Sequence, residues 1–290
     1  MFAAQLALSG LAQGAIYALV ALSMCVVYRA TTVVNFGHGD LVMAGAFVVY
    51  LLVVLAGLPF LASAILAVAL LFVLGLLIEH GLIERIKAGP HIGFALMCIA
   101  FGYVLRGIAR AVWGREVLPM PTVFNLPPIF IGELVITADA LVIFAAVGIL
   151  MAAFFLLFYR STAGRVMQAL CQSERGAALV GINVRAFHGA MWGVGAALGA
   201  VGGVLVAPIT LLHPGLGAAF LIKGFAAMTL GGFGSFGGAV VGGLLLGVAE
   251  QLVGGYVSTK LIDITAYLVI ILVLALRPNG LFGRAIAENV

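Results

Sequence analysis

Apolar runs of membrane-crossing length follow one another along almost the whole chain, and only one long cationic interval interrupts them. That interval, Arg160 to Ala186, sets four arginines (Arg160, Arg165, Arg175, Arg185) against a single acid, Glu174. A helix needs about 20 apolar residues to cross a hydrocarbon core, and lipid leaves every backbone polar group to be satisfied within the protein. Hydrophobic residues make up 64% of the 290 and charged residues 8%, where a soluble domain carries roughly 25% charged. The alternating segments of a transmembrane barrel do not occur. The expected fold class is an all-α polytopic membrane protein, one domain over residues 1–290, with about eight transmembrane segments, some of them interrupted.

The spans read off as 5–28, 38–56, 60–78, 91–112, 139–159 and 187–207, then two shorter pieces, 216–230 and 239–256, and a last span, 262–276. The stretch 113–137 is rich in proline and reads as extended chain outside the membrane. Cationic residues set the orientation. Arg29, Arg85, Lys87, Arg160, Arg165, Arg175, Arg185, Arg277 and Arg284 fall on one side, Arg110, Arg115 and Lys260 on the other. This asymmetry predicts an N-terminus outside and a C-terminus inside. The first basic residue is Arg29, so the first span reads as a retained helix and not a cleaved leader. The net charge of +4 does not point to nucleic acid, because the arginines sit in loops where they set topology. Cys25, Cys98 and Cys171 lack the spacing of a metal or disulfide site.

Within the cationic interval, Val166, Leu170, Ala177 and Val180 recur at helical spacing, which predicts a short amphipathic cytoplasmic helix able to press on a soluble partner. Two stretches break the helical pattern at or near membrane depth. One is Asn35-Phe36-Gly37-His38-Gly39-Asp40 and the other runs from Gly231 and Gly232 through Gly234 and Ser235 to Gly238. Interrupted helices are tolerated where they line a cavity or are packed in protein, and in transporters they commonly mark the solute route. Asn35, Gly37, His38, Gly39 and Asp40 read as a pathway or gate. The second stretch, with Gly231, Gly232, Gly234 and Ser235, fits a turn and a pathway equally. Gly195, Gly199, Gly202 and Gly203, and then Gly242, Gly243 and Gly247, read as surfaces for close helix approach.

Ionisable residues inside spans need partners. Lys223 and Glu250 sit at similar depth on two segments joined by the glycine stretch, which predicts a structural ion pair between them. Arg106 reads as snorkelling to the outer surface, with attraction of a substrate carboxylate as the alternative. Glu79 and His80 read as interfacial groups close to solvent. The chain has no GxxxxGK[ST] phosphate loop and shows no catalytic motif, so it is not expected to hydrolyse ATP.

Several motifs in order carry a family resemblance. They are Gly10-Leu11 with Gly14-Ala15-Ile16-Tyr17-Ala18-Leu19, Asn35-Phe36-Gly37-His38-Gly39-Asp40, Gly164-Arg165, Gly181-Ile182-Asn183, Lys223-Gly224-Phe225, Gly231 to Ser235, Gly247-Val248-Ala249-Glu250 and Arg277-Pro278-Asn279-Gly280. Over nearly its full length the chain resembles the shorter permease subunit of bacterial branched-chain amino acid ABC importers. The resemblance implies a multi-pass protein of the bacterial inner membrane. Its implied partners are a second, longer permease, two cytoplasmic ATPase subunits and a periplasmic solute-binding protein. No cofactor is implied on this chain, since ATP and Mg would bind the ATPase subunits. The segment Gly164 to Asn183 would be the coupling helix, with Gly164, Arg165, Glu174, Ala177, Gly181 and Ile182 at the ATPase contact. Related importers carry urea, short amides or aromatic and organic acids, so these substrates stay open. A self-sufficient channel or secondary carrier is the rival from another class.

Overall fold

The computed structural model describes residues 2–86, 91–120 and 127–283. Lys87 and Arg284 therefore lie outside the described residues, as does the side chain of His91. Among the described residues, eight helices are long and apolar enough to cross a membrane. The elements are α1 (Phe2–Thr31), α2 (His38–Tyr50), α3 (Phe60–Ile78), α4 (Glu84–Ile86), α5 (His91–Trp113), α6 (Ala138–Arg160), α7 (Thr162–Gln172), α8 (Glu174–Leu179), α9 (Val184–Val206), α10 (Leu216–Gly231), α11 (Phe236–Tyr256) and α12 (Ile262–Leu276). A π-turn, Leu51–Leu55, lengthens α2, and a second, Glu79–Ile83, joins α3 to α4. The apolar runs thus become helices with the boundaries read from the sequence to within a few residues.

α1 forms the centre of the bundle, buried from Gly14 through Val27. Small residues allow its neighbours to close on it. A Cβ on Gly10 would come 2.7 Å from Val248 Cα, and one on Gly243 would run into the Ala18 backbone. Without water there is no hydrophobic drive between helices in lipid, so close backbone packing is the main attraction. α3, α5, α6 and α12 lie around this core with apolar side chains outward, among them Leu61, Ile65, Leu96, Ile149 and Ile271.

The short α10 is a ninth traverse. Near its start, Leu212 bridges Leu118 at one end of the bundle. At its finish the chain turns at the other end, where Arg29 Nε donates to Gly234 O at 2.8 Å. An even number of traverses returns a chain to its starting side, and eight alone would do so. The ninth carries the chain to the opposite end. Gln5 accordingly bonds the backbone of Val135 at one end, while Leu281 N donates to Leu230 O at the other.

Two features are absent from the sequence reading. The proline-rich stretch 113–137 is not simply extended chain: β1 (Ile129–Ile131) and β2 (Leu134–Ile136) pair as an antiparallel hairpin around Gly132, whose φ is +64°. The cationic interval forms two helices instead of one, α7 and α8. Ser161 Oγ caps the first at Gly164 N (2.9 Å) and Ser173 Oγ the second at Gly176 N (3.0 Å).

Candidate functional site

α1 ends at Thr31, yet His38, the first residue of α2, is level with Ser23. Those eight residues of helix correspond to roughly 12 Å, so the chain doubles back along α1 and α2 begins well inside the bundle. The reversal passes through Thr32 at φ +56°, a left-handed conformation costly for a β-branched residue. Asn35 Oδ1 accepts from Gly37 N at 2.9 Å and so forms the turn. The Ser23 hydroxyl donates to Val20 O (2.6 Å) and therefore accepts from Nε2–H of His38 at 2.7 Å. That tautomer leaves His38 Nδ1 an acceptor. Asn35 Nδ2 and His38 Nδ1 are buried and meet no hydrogen-bond partner among the described residues.

The glycines of this stretch are contact points. A Cβ on Gly37 would collide with the Cys98 carbonyl of α5, and one on Gly39 with the Gly217 carbonyl of α10. The α2 N-terminus is thereby wedged between α5 and α10, with Gly199 and Gly203 of α9 packed behind it. Asp40 is fixed by Arg106, whose Nε and Nη2 reach Oδ1 at 3.1 and 2.9 Å and whose Nη2 also reaches Oδ2 at 3.1 Å. This corrects the snorkelling expected of Arg106. Its carboxylate partner lies on the neighbouring α2, and the sequence gives no sign that α2 starts deep enough to supply one.

The second glycine stretch is a tight turn. Gly232 and Gly234 take φ of +105° and +76°, and Ser235 Oγ caps α11 at Gly238 N (3.1 Å). Gly231 packs on Gly238, and Phe282 N donates to Gly231 O at 3.0 Å, which clasps the turn to the chain beyond α12.

Lys223 and Glu250 lie together, Nζ to Oε2 at 3.3 Å. The sequence reading missed two further members. Tyr17 OH donates to Glu250 Oε2 at 2.7 Å and accepts from Lys223 Nζ at 3.0 Å, and Asp263 Oδ1 lies 3.3 Å from the same Nζ. Glu250 Oε1 is buried and meets no partner among the described residues.

At the arginine-rich end, Gly164, Met167, Leu170 and Ala177 face the bundle, and Gly164 lies against the carbonyls of Leu157 and Phe158. Arg165 is exposed and Ile182 half-buried. Val180 departs from its expected apolar contact: it is 76% exposed, and Leu179 beside it 89%. Gly181 follows at φ +82° with open space around it and ends α8. Glu174 pairs with His188 Nε2 at 3.1 Å, and Arg185 with Glu84 at 2.7 Å. Glu79 is not interfacial as expected. The π-turn continues α3 inward and leaves Glu79 2% exposed, on the wall of a cavity of about 210 Å³ shared with Thr31, Phe94, Glu174 and His188.

Residues 6–274 match the family described as branched-chain amino acid transport system / permease component. The high-affinity branched-chain amino acid transport system permease protein LivH of Salmonella typhimurium is 30% identical, over 97% of this chain and 96% of that one. BraD of Pseudomonas aeruginosa, named as the same kind of permease, is 31% identical with the same coverage of each chain. A probable LivH of Methanocaldococcus jannaschii is 26% identical over 91% of this chain and 88% of its own length. In fold, the chain is similar to a solved structure titled PsaBC from Streptococcus pneumoniae in complex with Fab, at TM-score 0.52, 15% identity and coverage of 93% and 91%.

Proposed function

The chain belongs to the family of branched-chain amino acid transport permease components, and we propose that it is the transmembrane permease subunit of an ATP-driven importer for branched-chain or related amino acids. The observation that carries this reading is the family match from residue 6 to 274, which reaches into every membrane helix described above. Hydrolysis of ATP falls to separate subunits, and ATP and Mg bind there. The arginine-rich end faces the cytoplasm, in keeping with the cationic bias of inner loops. The partners are a second permease, two cytoplasmic ATPases and a periplasmic solute-binding protein.

In this reading α7 and α8, from Gly164 to Asn183, dock on an ATPase. What supports it is an apolar tip, Leu179-Val180, held in solvent at the cationic end by two capped helices. A soluble partner covers such a surface, and its motion reaches α9 through the Glu174–His188 contact. Asn35 to Asp40, wedged among α5, α9 and α10, act as the gate, while Gly231 to Ser235 form a turn that ties α10 and α11 to α1 through Arg29.

The test is reconstitution of the assembled complex in liposomes with labelled leucine. Uptake that requires ATP, the ATPases and the binding protein is the expected result. Leucine transport by this chain alone, without nucleotide, would establish a self-sufficient carrier instead. Uptake of urea or aromatic acids with none of leucine would move the substrate to another importer class.

A further inference from the structure

We propose that Asp40 and Arg106 are a recognition site for the zwitterionic head of an α-amino acid, Arg106 taking its carboxylate and Asp40 its ammonium group. The proposal rests on the importer reading above and names the chemistry met at its gate.

Depth is the first argument. Arg106 lies seven residues before the end of α5 at Trp113, and Asp40 is in the first turn of α2. Those seven residues put Arg106 roughly 10 Å below the helix end. Charges at such depth face a protein interior or a water-filled cavity, not lipid. Yet Arg106 is 19% exposed at the surface of this chain, and Tyr103, whose ring lies 5.2 Å from its guanidinium carbon, is 64% exposed. In the importer this exposed face would line an aqueous path closed by a partner's wall.

The pair is also built for exchange. Its carboxylate packs against Gly102 of α5: a Cβ there would come 2.5 Å from Asp40 Oδ2 and 3.1 Å from Gly37 Cα. The guanidinium presents its planar fork, which suits a carboxylate. Without ligand the two charges satisfy each other. An arriving zwitterion supplies one charge of each sign, so each protein group changes partner and neither is left uncompensated. A solute with one charge leaves one group unpaired, which is strongly unfavourable away from water. The exposed ring of Tyr103 over Arg106 offers apolar surface for an aliphatic side chain, and the ring of Phe36, four residues before Asp40, is likewise exposed.

A simple tether between α2 and α5 would look alike in the resting structure, and a neutral pair separates the two roles. In the assembled complex, Asp40→Asn and Arg106→Gln should each lower leucine uptake by about tenfold or more. The double variant Asp40→Asn/Arg106→Gln keeps a hydrogen bond but no charge, and should not recover. Photo-activatable leucine should crosslink to segments 33–41 or 99–106, and neither 3-methylbutylamine nor 4-methylpentanoate should compete. Should the neutral variants fail to assemble, Arg106→Lys keeps the charge without the fork and should raise KM more than it lowers kcat. A double variant that transports like the wild type, or competition by either singly charged analogue, would overturn the proposal while leaving the importer reading intact. A wild-type complex that moves no leucine would instead defeat the importer reading.

Discussion

Tyr17 and Glu250 are 233 positions apart in the chain and meet through a hydrogen bond of 2.7 Å in the middle of the bundle. The bond joins α1 to α11, and Lys223 of α10 closes the triangle. Tyr17→Phe removes a donor to Glu250 and an acceptor for Lys223 at once, at a buried position. We expect a loss of about 1–2 kcal/mol. Glu250→Ala should cost more, since it removes the buried carboxylate and leaves Lys223 the neutral Tyr17 hydroxyl and the exposed Asp263. Thermal unfolding of the detergent-solubilised complex orders the two variants. Equal stability of Tyr17→Phe and wild type would mean that the triangle contributes nothing.

Gly243 and Gly148 make a paired test of helix approach. A side chain on Gly243 meets the Ala18 backbone, whereas nothing lies within 4 Å of the Cβ position on Gly148. Gly243→Leu should abolish recovery of monodisperse protein in size-exclusion chromatography, and Gly148→Ala should leave it unchanged. Normal assembly of Gly243→Leu would show that α1 and α11 can separate at little cost.

The tip of α8 should govern coupling. Leu179→Asp places a charge on the apolar tip proposed to dock on the ATPase, and Glu174→Arg reverses the charge facing His188. Gly181→Trp forces a bulky residue into a left-handed conformation at φ +82°. Each is expected to reduce uptake and the stimulation of ATPase activity by the loaded binding protein. Membrane insertion should persist, because none of these residues packs within a span. Wild-type stimulation in all three would remove α8 from the ATPase contact.

Cys171 on α7 offers a pH-dependent reporter. Burial pushes its thiol pKa up, and the Sγ lies 3.6 Å from Arg29 O. A raised pKa means less thiolate at any given pH below it, so alkylation should be slow near neutrality and accelerate as the pH climbs past the ordinary thiol range near 8.5. Mass spectrometry of iodoacetamide-treated complex gives the rate. Labelling at neutral pH as fast as that of an open peptide thiol would show α7 detached from the end of α1.

Where residues lie along the membrane normal was largely legible, because hydropathy sets helix length and the glycine and polar breaks punctuate it. The depths of Lys223 and Glu250 followed from that one coordinate. What lies beside what was harder. Tyr17 reads as an ordinary aromatic residue in an apolar span, and only the packing of α1 against α10 and α11 turns its hydroxyl toward the two charges. Arg106 was misread because its position on α5 is visible but the return of the chain from Thr31 to His38 is not. Val180 fits the apolar period of a helix, yet α8 stops at Leu179 and turns it to solvent. The strands 129–131 and 134–136 are too short to leave an alternating pattern of any weight.

Because the polypeptide crosses the bundle an odd number of times, residue 2 and residue 283 stand on opposite sides of it. A single-chain tandem that joins two copies head to tail would insert the second upside down unless its linker carried an extra hydrophobic helix of about 20 residues. Any engineered dimer of this subunit has to be designed around that constraint.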